Sequence, residues 1–214
     1  NDLVNEMLDQ IPAKYFKSKT TTFLDPSMAG GQFIKEIIKR LTKAGHSVDN
    51  IKSRVYGLGD TPLSLNYARD KHNLVGQFEI GGIEELEKWK EMGKRFDVIV
   101  GNPPYQSETG SQDRLWMQFL ELGFSVVTNN GYVAFVTPTS WTHNESLYNE
   151  FFYQKNPIHI NIDECARHFK GVGSTFSWFV TQNGKRDGNV TIQTKGDVLT
   201  LSLPERPFGS HPLS

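Results

Sequence analysis

The alternation of strand-like and helix-like segments is the feature that most limits how this chain can fold. Over roughly the first three-quarters, apolar runs such as "TTTFLDP" and "RFDVIVG" alternate with amphipathic stretches such as "GQFIKEIIKRLTKAG". This alternation favours an α/β fold, with a parallel sheet and helices on both faces. Late in the chain the helices stop. There "FSWFVTQNGKRDGNVTIQ" reads as two strands joined by a glycine-containing turn, which predicts an antiparallel edge.

Composition narrows the class of protein. The chain has 214 residues and a formal net charge of -1, which suits one ordinary globular domain and differs from a strongly basic nucleic-acid binder. A local basic face is still compatible with this total. Cys165 is the only cysteine, which excludes a disulfide framework and a thiolate zinc site, and no metal-ligand spacing is evident. No apolar run reaches transmembrane length, so we expect a cytoplasmic protein with no membrane partner.

The loop after the first strand, in "FLDPSMAGGQF", combines an acid with small residues. The small residues let a ligand approach the backbone closely, but the loop matches neither the dinucleotide fingerprint nor the P-loop. A carboxylate here would repel phosphate, so a cationic, phosphate-free ligand such as S-adenosylmethionine fits better. Equally, the acid could cap the next helix and the glycines could serve packing. The candidate cofactor residues of this loop are Asp25, Pro26, Ser27, Met28, Ala29, Gly30 and Gly31.

A second acid stands at the end of the second strand. In "VYGLGDTPLS", Asp60 follows the strand directly, where a carboxylate can accept both hydroxyls of a ribose. The same residue fits an N-cap for the helix that starts at Pro62. We favour the cap, although one acid can serve near both roles.

The fourth strand ends in a turn that suits methylation of an amino group. The adenine N6 amine is a poor nucleophile, and a site can help by accepting both of its hydrogens. The side-chain oxygen of Asn102 and the carbonyl of Pro103 are candidate acceptors. Pro103 and Pro104 stiffen the turn, and Tyr105 offers a face on which an extruded base can stack. The alternative is a rigid structural turn, which this arrangement after a buried strand makes less favoured.

Three segments in this order resemble the N6-adenine DNA methyltransferases of bacterial restriction-modification systems. They are "FLDPSMAGGQF", "FDVIVGNPPYQ" and "GYVAFVTPTSW", and the similarity spans roughly residues 2–183. The resemblance implies a methyltransferase-type, Rossmann-like sheet with a reversed late strand, S-adenosylmethionine as cofactor, and a flipped adenine in DNA as target. It carries the Asp25 loop over to the methionine end of the cofactor. It carries Asn102, Pro103 and Tyr105 over to the adenine, and Phe176 over to a second aromatic that packs on the flipped base.

The chain departs from the family pattern on the cofactor side. Ala29 stands where the family usually has glycine, and Gly59 stands where it usually has the acid that follows strand two. After strand three, "FEIGGIEE" offers only Glu79 and, further on, Glu84 for the cofactor's adenine. These departures keep open a degenerate, non-catalytic domain that binds nucleic acid or a partner. The same turn could also serve a methylase of RNA or of protein glutamine.

The expected domain organisation follows from the resemblance. Residues 1–184 are interpreted as the methyltransferase catalytic domain, and residues 185–214 as C-terminal strands and a tail that could begin a target-recognition region. Sequence specificity is therefore expected from a separate specificity domain or subunit.

Overall fold

The computed structural model describes residues 2–105, 115–162, 176–194 and 196–203. Within these residues the chain alternates helices and strands as the sequence predicts. The helices are α1 (Asp2–Asp9), α2 (Ala13–Lys17), α3 (Gln32–Lys43), α4 (Val48–Lys52), α5 (Pro62–His72), α6 (Ile83–Glu91), α7 (Leu115–Val126) and α8 (Glu145–Tyr148). The strands are β1 (Phe23–Asp25), β2 (Val55–Gly59), β3 (Gln77–Ile80), β4 (Phe96–Gly101), β5 (Val127–Pro138), β6 (Asn156–Ile162), β7 (Phe176–Gln182), β8 (Val190–Thr194) and β9 (Asp197–Leu201).

The strands form one sheet in the order β3-β2-β1-β4-β5-β7-β6-β8-β9. Strands β1 to β5 pair in parallel, and β7 pairs antiparallel with both of its neighbours, β5 and β6. This confirms the predicted fold class, a mostly parallel Rossmann-like sheet with an antiparallel late strand. Strands β8 and β9, which follow residue 184, extend the same sheet.

The predicted hairpin between the last two strands of "FSWFVTQNGKRDGNVTIQ" is wrong. Strand β8 pairs in parallel with β6, so the chain after β7 crosses β6 before it re-enters the sheet. The reason lies at Asn183, whose backbone exchanges hydrogen bonds with Asn130 and Gly131 and so continues the β5–β7 pairing instead of turning back. The antiparallel edge of the sheet is formed by β8 and β9.

Each face of the sheet carries its own hydrophobic core. One core gathers α1, α3 and the residues of β1, β4 and β7 that point to that side, with Met7, Ile34 and Trp178 at its centre. The other lies under α6, α7 and α8, with Leu86 and Phe135 fully buried. Helices on both faces are therefore confirmed, because each amphipathic helix buries its apolar stripe against the sheet. No helix among the described residues is long and apolar enough to cross a membrane.

Three short helical pieces lie outside the sequence prediction. They are α2, α4 and a 3₁₀ turn at Thr139–His143, whereas the π-helical turn at Asn149–Tyr153 continues α8 inside the stretch "NESLYNEFFYQ", which the sequence predicts to be helical. Each of the three has five residues, which is too short for a helical period to stand out in a sequence.

Asp97 ties three strands together at the edge of the sheet where β1 and β4 begin. Its Oδ2 accepts hydrogen bonds from the backbone N–H and the hydroxyl of Thr22, which immediately precedes β1, at 2.8 and 3.0 Å. Its Oδ1 accepts from the hydroxyl of Thr128 in β5 at 3.0 Å. One carboxylate in β4 therefore sets the relative position of β1, β4 and β5.

We expect Asp97→Ala to lower the free energy of unfolding by about 2–4 kcal/mol, because three donors lose a charged acceptor at once. Thr128→Val removes one of these bonds and should cost about 1 kcal/mol. Urea unfolding of both variants measures the difference. A smaller loss for Asp97→Ala than for Thr128→Val would show that the carboxylate does not join the strands in this way.

Candidate functional site

Two cavities meet at the carboxyl ends of the central strands. The larger has a volume of about 620 Å³ and lies beside the ends of β2 and β3. The smaller has a volume of about 310 Å³ and lies between α1 and the start of α3. Ser27, Ala29 and Asn102 line both cavities, so the loops after β1 and β4 form the boundary between them. The carboxyl edge of an open parallel sheet is the place where such folds bind ligands.

Asp25 is the buried acid of the smaller cavity. The residue is 2% exposed, and its Oδ1 accepts a hydrogen bond from the backbone N–H of Ser27 at 3.1 Å. Burial raises the pKa of Asp25 to about 7, and the Ser27 hydrogen bond opposes that rise only in part. A cation placed in the cavity would stabilise the ionised carboxylate that burial disfavours.

The loop after Asp25 leads into α3 through a glycine. Gly31 is the N-cap of α3 with a φ of 71°, and no side chain caps the helix. Asp25 therefore does not cap α3, which removes that alternative. The smaller cavity is lined at this point by Gly30, Gly31, Gln32 and Phe33, so the helix N-terminus faces it.

Of the other loop residues, Pro26 lies at a cavity and Met28 lies in the core. Pro26 lines the larger cavity. Met28 is fully buried in the core and donates its backbone N–H to the carbonyl of Leu58 in β2 at 2.7 Å. Met28 thus anchors the loop after β1 to the neighbouring strand, and its side chain packs with the core around α3.

Asp60 lies at the end of β2 and lines the larger cavity. The N-cap of α5 is Thr61, whose hydroxyl accepts from the N–H of Ser64. Asp60 adds to this cap, because its Oδ1 accepts hydrogen bonds from the N–H of Thr61 and from the hydroxyl of Ser64. A side chain at Gly59 would be crowded, since its Cβ would lie 3.0 Å from Leu65 Cδ1 and 3.1 Å from Leu65 Cβ. The acid one residue later avoids that contact.

Glu79 lies away from the cavity. It is exposed on the edge strand β3, and its charge acts on Lys94 of the neighbouring α6–β4 connection. The lining at this end comes from Ile80 and from the start of α6, where Glu84 and Glu85 contribute. Glu85 is paired with Lys88 at 3.3 Å. Of the two acids that the sequence offers after β3, the structure brings Glu84 and not Glu79 to the cavity.

The turn after β4 is held at both oxygens of Asn102. The hydroxyl of Ser27 donates to the Asn102 carbonyl at 2.9 Å, and the hydroxyl of Tyr105 donates to Asn102 Oδ1 at 2.5 Å. Pro103 is buried and Pro104 lines the larger cavity. The turn therefore presents an exposed amide at the boundary of the two cavities.

Two aromatic rings meet beside this amide. The rings of Tyr105 and Phe176 have centroids 4.9 Å apart and planes 33° from parallel. Phe176 is 3% exposed at the start of β7. Residues that are far apart in sequence thus come together because β7 runs antiparallel and begins at the edge where β4 ends.

Sequence reasoning did not identify the apolar walls of the cavities. Leu58 and Phe119 line the larger cavity, and Leu3, Val4 and Phe33 line the smaller one. These residues carry the helical or strand periodicity of ordinary core positions, so no local signal separates them from the core. Cys165 lies outside the described residues. Within the described part of the chain, no three His, Cys, Asp or Glu side chains are grouped to hold a metal ion.

Known structures share this architecture. The M protein of the type I restriction enzyme EcoKI superposes with a TM-score of 0.67 at 14% identity over 87% of this chain and 47% of its own. A Listeria monocytogenes protein assigned to the class I S-adenosylmethionine-dependent methyltransferases gives 0.67 at 15% identity, over 91% of this chain and 64% of its own. A nuclease-deletion mutant of the type ISP restriction-modification enzyme LlaGI, in complex with a DNA substrate mimic, superposes with a TM-score of 0.62 at 17% identity. The superposition covers 92% of this chain and 26% of the LlaGI chain.

These identities establish a common fold, and the chain spans about half the length of the EcoKI M protein. No curated protein sequence matches the chain. The model of one protein family, the Eco57I restriction-modification methylases, matches residues 34–169, a range that begins inside α3 and includes Asp60 and the whole Asn102–Tyr105 turn. Because this match covers more than half of the sequence, the chain belongs to the Eco57I restriction-modification methylase family.

Proposed function

We propose that this chain transfers a methyl group from S-adenosylmethionine to the N6 amino group of adenine in DNA, as the modification enzyme of a restriction-modification system. The observation that carries the proposal is the position of Asn102 at the boundary of two cavities, one with a buried acid and one with acids at helix starts. If the two ends of S-adenosylmethionine occupy the two cavities, the sulfonium that joins them lies at this boundary. The methyl group would then be next to the Asn102 turn, where the target amine binds.

The smaller cavity suits the methionine end of the cofactor. Methionine carries an ammonium and a carboxylate, and the cavity offers the Asp25 carboxylate together with the uncapped N-terminus of α3. A helix N-terminus favours an anion because its N–H groups and dipole are positive there. The ammonium and the carboxylate of the methionine end would therefore each meet an opposite charge within one cavity.

The larger cavity suits the adenosine end. Asp60 can accept ribose hydroxyls, and Glu84 can accept from the adenine amino group. Leu58, Ile80 and Phe119 supply the apolar surface that a flat base requires. When bound, the cofactor supplies an electrophilic methyl group on a sulfonium sulfur, which becomes a neutral thioether on transfer.

Asn102 and Pro103 would make the target amine reactive. The Asn102 Oδ1 atom and the Pro103 carbonyl can each accept one hydrogen from N6. Positive charge builds on this nitrogen during transfer, so these hydrogen bonds strengthen in the transition state. The methylated nitrogen then loses one proton to water. The two prolines keep both acceptors in place before the substrate arrives.

Tyr105 and Phe176 would receive the flipped base. In the free chain the Tyr105 hydroxyl already donates to Asn102 Oδ1, so an entering amine takes over an acceptor that is hydrogen-bonded beforehand. Stacking on the Tyr105 ring, which Phe176 supports from its buried side, is worth about 1–3 kcal/mol and offsets part of the cost of unstacking the base.

Target recognition is proposed to come from a separate domain or subunit. The chain covers 26% of LlaGI and 47% of the EcoKI M protein, and both are larger proteins of restriction-modification systems. Segments beyond the catalytic sheet, or a partner, would then choose the DNA sequence whose adenine enters the site.

A non-catalytic binding domain is the second candidate, and Ile80 is the observation that favours it. This apolar residue stands at the end of β3, where the resemblance calls for an acid. Cofactor binding decides between the two candidates. A chain that binds DNA but no cofactor, measured by calorimetry with and without duplex DNA, supports the binding domain.

We expect Asn102→Ala to slow methyl transfer by about 10²- to 10³-fold, because one preorganised acceptor for the amine is lost. Labelled S-adenosylmethionine and duplex DNA that lacks adenine methylation provide the assay, and digestion of the DNA identifies N6-methyladenine. Asn66→Ala, at an exposed position of α5 that lines neither cavity, removes an amide from the surface and should keep the normal rate. Undiminished transfer by a folded Asn102→Ala variant rules out the assigned role.

Asp25→Asn should weaken cofactor binding about tenfold or more, because the ammonium loses its charged partner. The same change should stabilise the cofactor-free fold above neutral pH. The folded-state pKa of Asp25 is about 7, against an ordinary value of 3.8 for an aspartate, so the wild type loses stability as pH rises from about 4 to 7. This loss amounts to about 4 kcal/mol, and the amide avoids it.

Urea unfolding of both proteins at pH 4 and pH 8 measures this difference, and calorimetry at pH 8 measures the affinity. Contributions from other titrating groups cancel in the comparison. An Asp25→Asn variant that is less stable than the wild type at pH 8 would mean that the carboxylate is stabilised in the fold by more than the Ser27 N–H.

A further inference from the structure

The turn after β4 has few backbone donors with which to hold its position. Pro103 and Pro104 have no N–H, so two of the four residues from Asn102 to Tyr105 donate nothing through the main chain. The prolines restrict the shape of the turn, and donors from other parts of the chain can fix its placement relative to the Asp25 loop.

Ser27 supplies such a donor across the boundary of the two cavities. Its hydroxyl donates to the carbonyl of Asn102 at 2.9 Å, over a sequence separation of 75 residues. The contact is close because β1 and β4 are paired neighbours, with Leu24 opposite Ile99. The bond therefore joins the loops that follow these two strands.

The position of Ser27 is itself set by Asp25. The Ser27 N–H donates to Asp25 Oδ1 at 3.1 Å. The same oxygen lies 3.0 Å from the place where a Cβ on Gly101 would stand, so a glycine before Asn102 allows the acid to approach β4 this closely. Asp25, Ser27 and the Gly101–Asn102 peptide thus form one packed unit.

We propose that Ser27 is a positioning residue that fixes the Asn102 turn relative to the Asp25 loop. The inference rests on the proposed function and adds to it, because Ser27 acts on the target amine's acceptors through Asn102. When the acceptors move relative to the methyl donor, the amine is no longer in line with it. A displacement of about 1 Å can cost about 100-fold in rate.

Three variants test this role. Ser27→Ala removes the hydroxyl, and Ser27→Thr keeps it. Ser53→Ala is the matched control, since the Ser53 hydroxyl also donates to a backbone carbonyl at 2.9 Å, that of Asn50, away from the cavities.

Single-turnover methyl transfer, at saturating cofactor and DNA, gives the first readout. We expect Ser27→Ala to be about 10- to 100-fold slower with an unchanged cofactor dissociation constant, and Ser27→Thr and Ser53→Ala to match the wild type. A wild-type rate for Ser27→Ala overturns the proposal. So does an equal loss in Ser27→Thr, or a loss explained by weaker cofactor binding.

Amide hydrogen exchange of the segment 96–105 gives a second readout that needs no catalysis. Loss of the Ser27 hydroxyl should speed exchange there, whereas Ser27→Thr and Ser53→Ala should leave it unchanged. If the wild type transfers no methyl group, the proposed function fails and exchange alone decides the role of Ser27. Equal exchange in Ser27→Ala and wild type then overturns it.

Discussion

The parallel pairing of β1 with β4 is the constraint on which the candidate site depends. Neighbouring parallel strands end at the same edge of the sheet, so the loops that follow them have to meet. Here one loop begins with Asp25 and the other with Asn102, and the Ser27 hydroxyl joins them. At the opposite edge Asp97 holds the starts of β1, β4 and β5 together. The two polar clusters fix both ends of the central strands.

Asp25 destabilises the fold when no ligand is bound and would strengthen the binding of a cationic ligand. A buried carboxylate with one N–H donor is disfavoured in its charged form, which the pKa of about 7 expresses. A ligand cation would reverse that penalty, because it provides an opposite charge next to the buried carboxylate. The free energy that the cofactor-free fold loses by burying the ionised carboxylate would then be recovered when the cofactor binds.

Much of this architecture could be predicted from the sequence, because strands and helices of ordinary length have clear periods. The turn at Asn102 and the Asp25 loop were found because prolines, glycines and acids at strand ends are unusual. The hairpin after β7 was predicted wrongly, since glycine and asparagine indicate a turn but not which strand is paired next. That pairing was decided by Asn183, whose backbone joins Asn130 and Gly131. The cavity walls, such as Leu58 and Phe119, resemble core residues until the fold places them.

The departures on the cofactor side have a physical explanation in the packing around β2 and β3. Leu65 leaves little room for a side chain at Gly59, so the acid stands one residue later and joins the cap of α5. Among the described residues, the hydrogen bonds of Asp60 go to Oδ1, which leaves Oδ2 for a ligand. After β3 the exposed strand residue Glu79 acts electrostatically on Lys94, and the first turn of α6 brings Glu84 to the cavity instead. Acids displaced onto helix starts can serve the same ligand groups, so a missing motif residue does not by itself argue for a lost site.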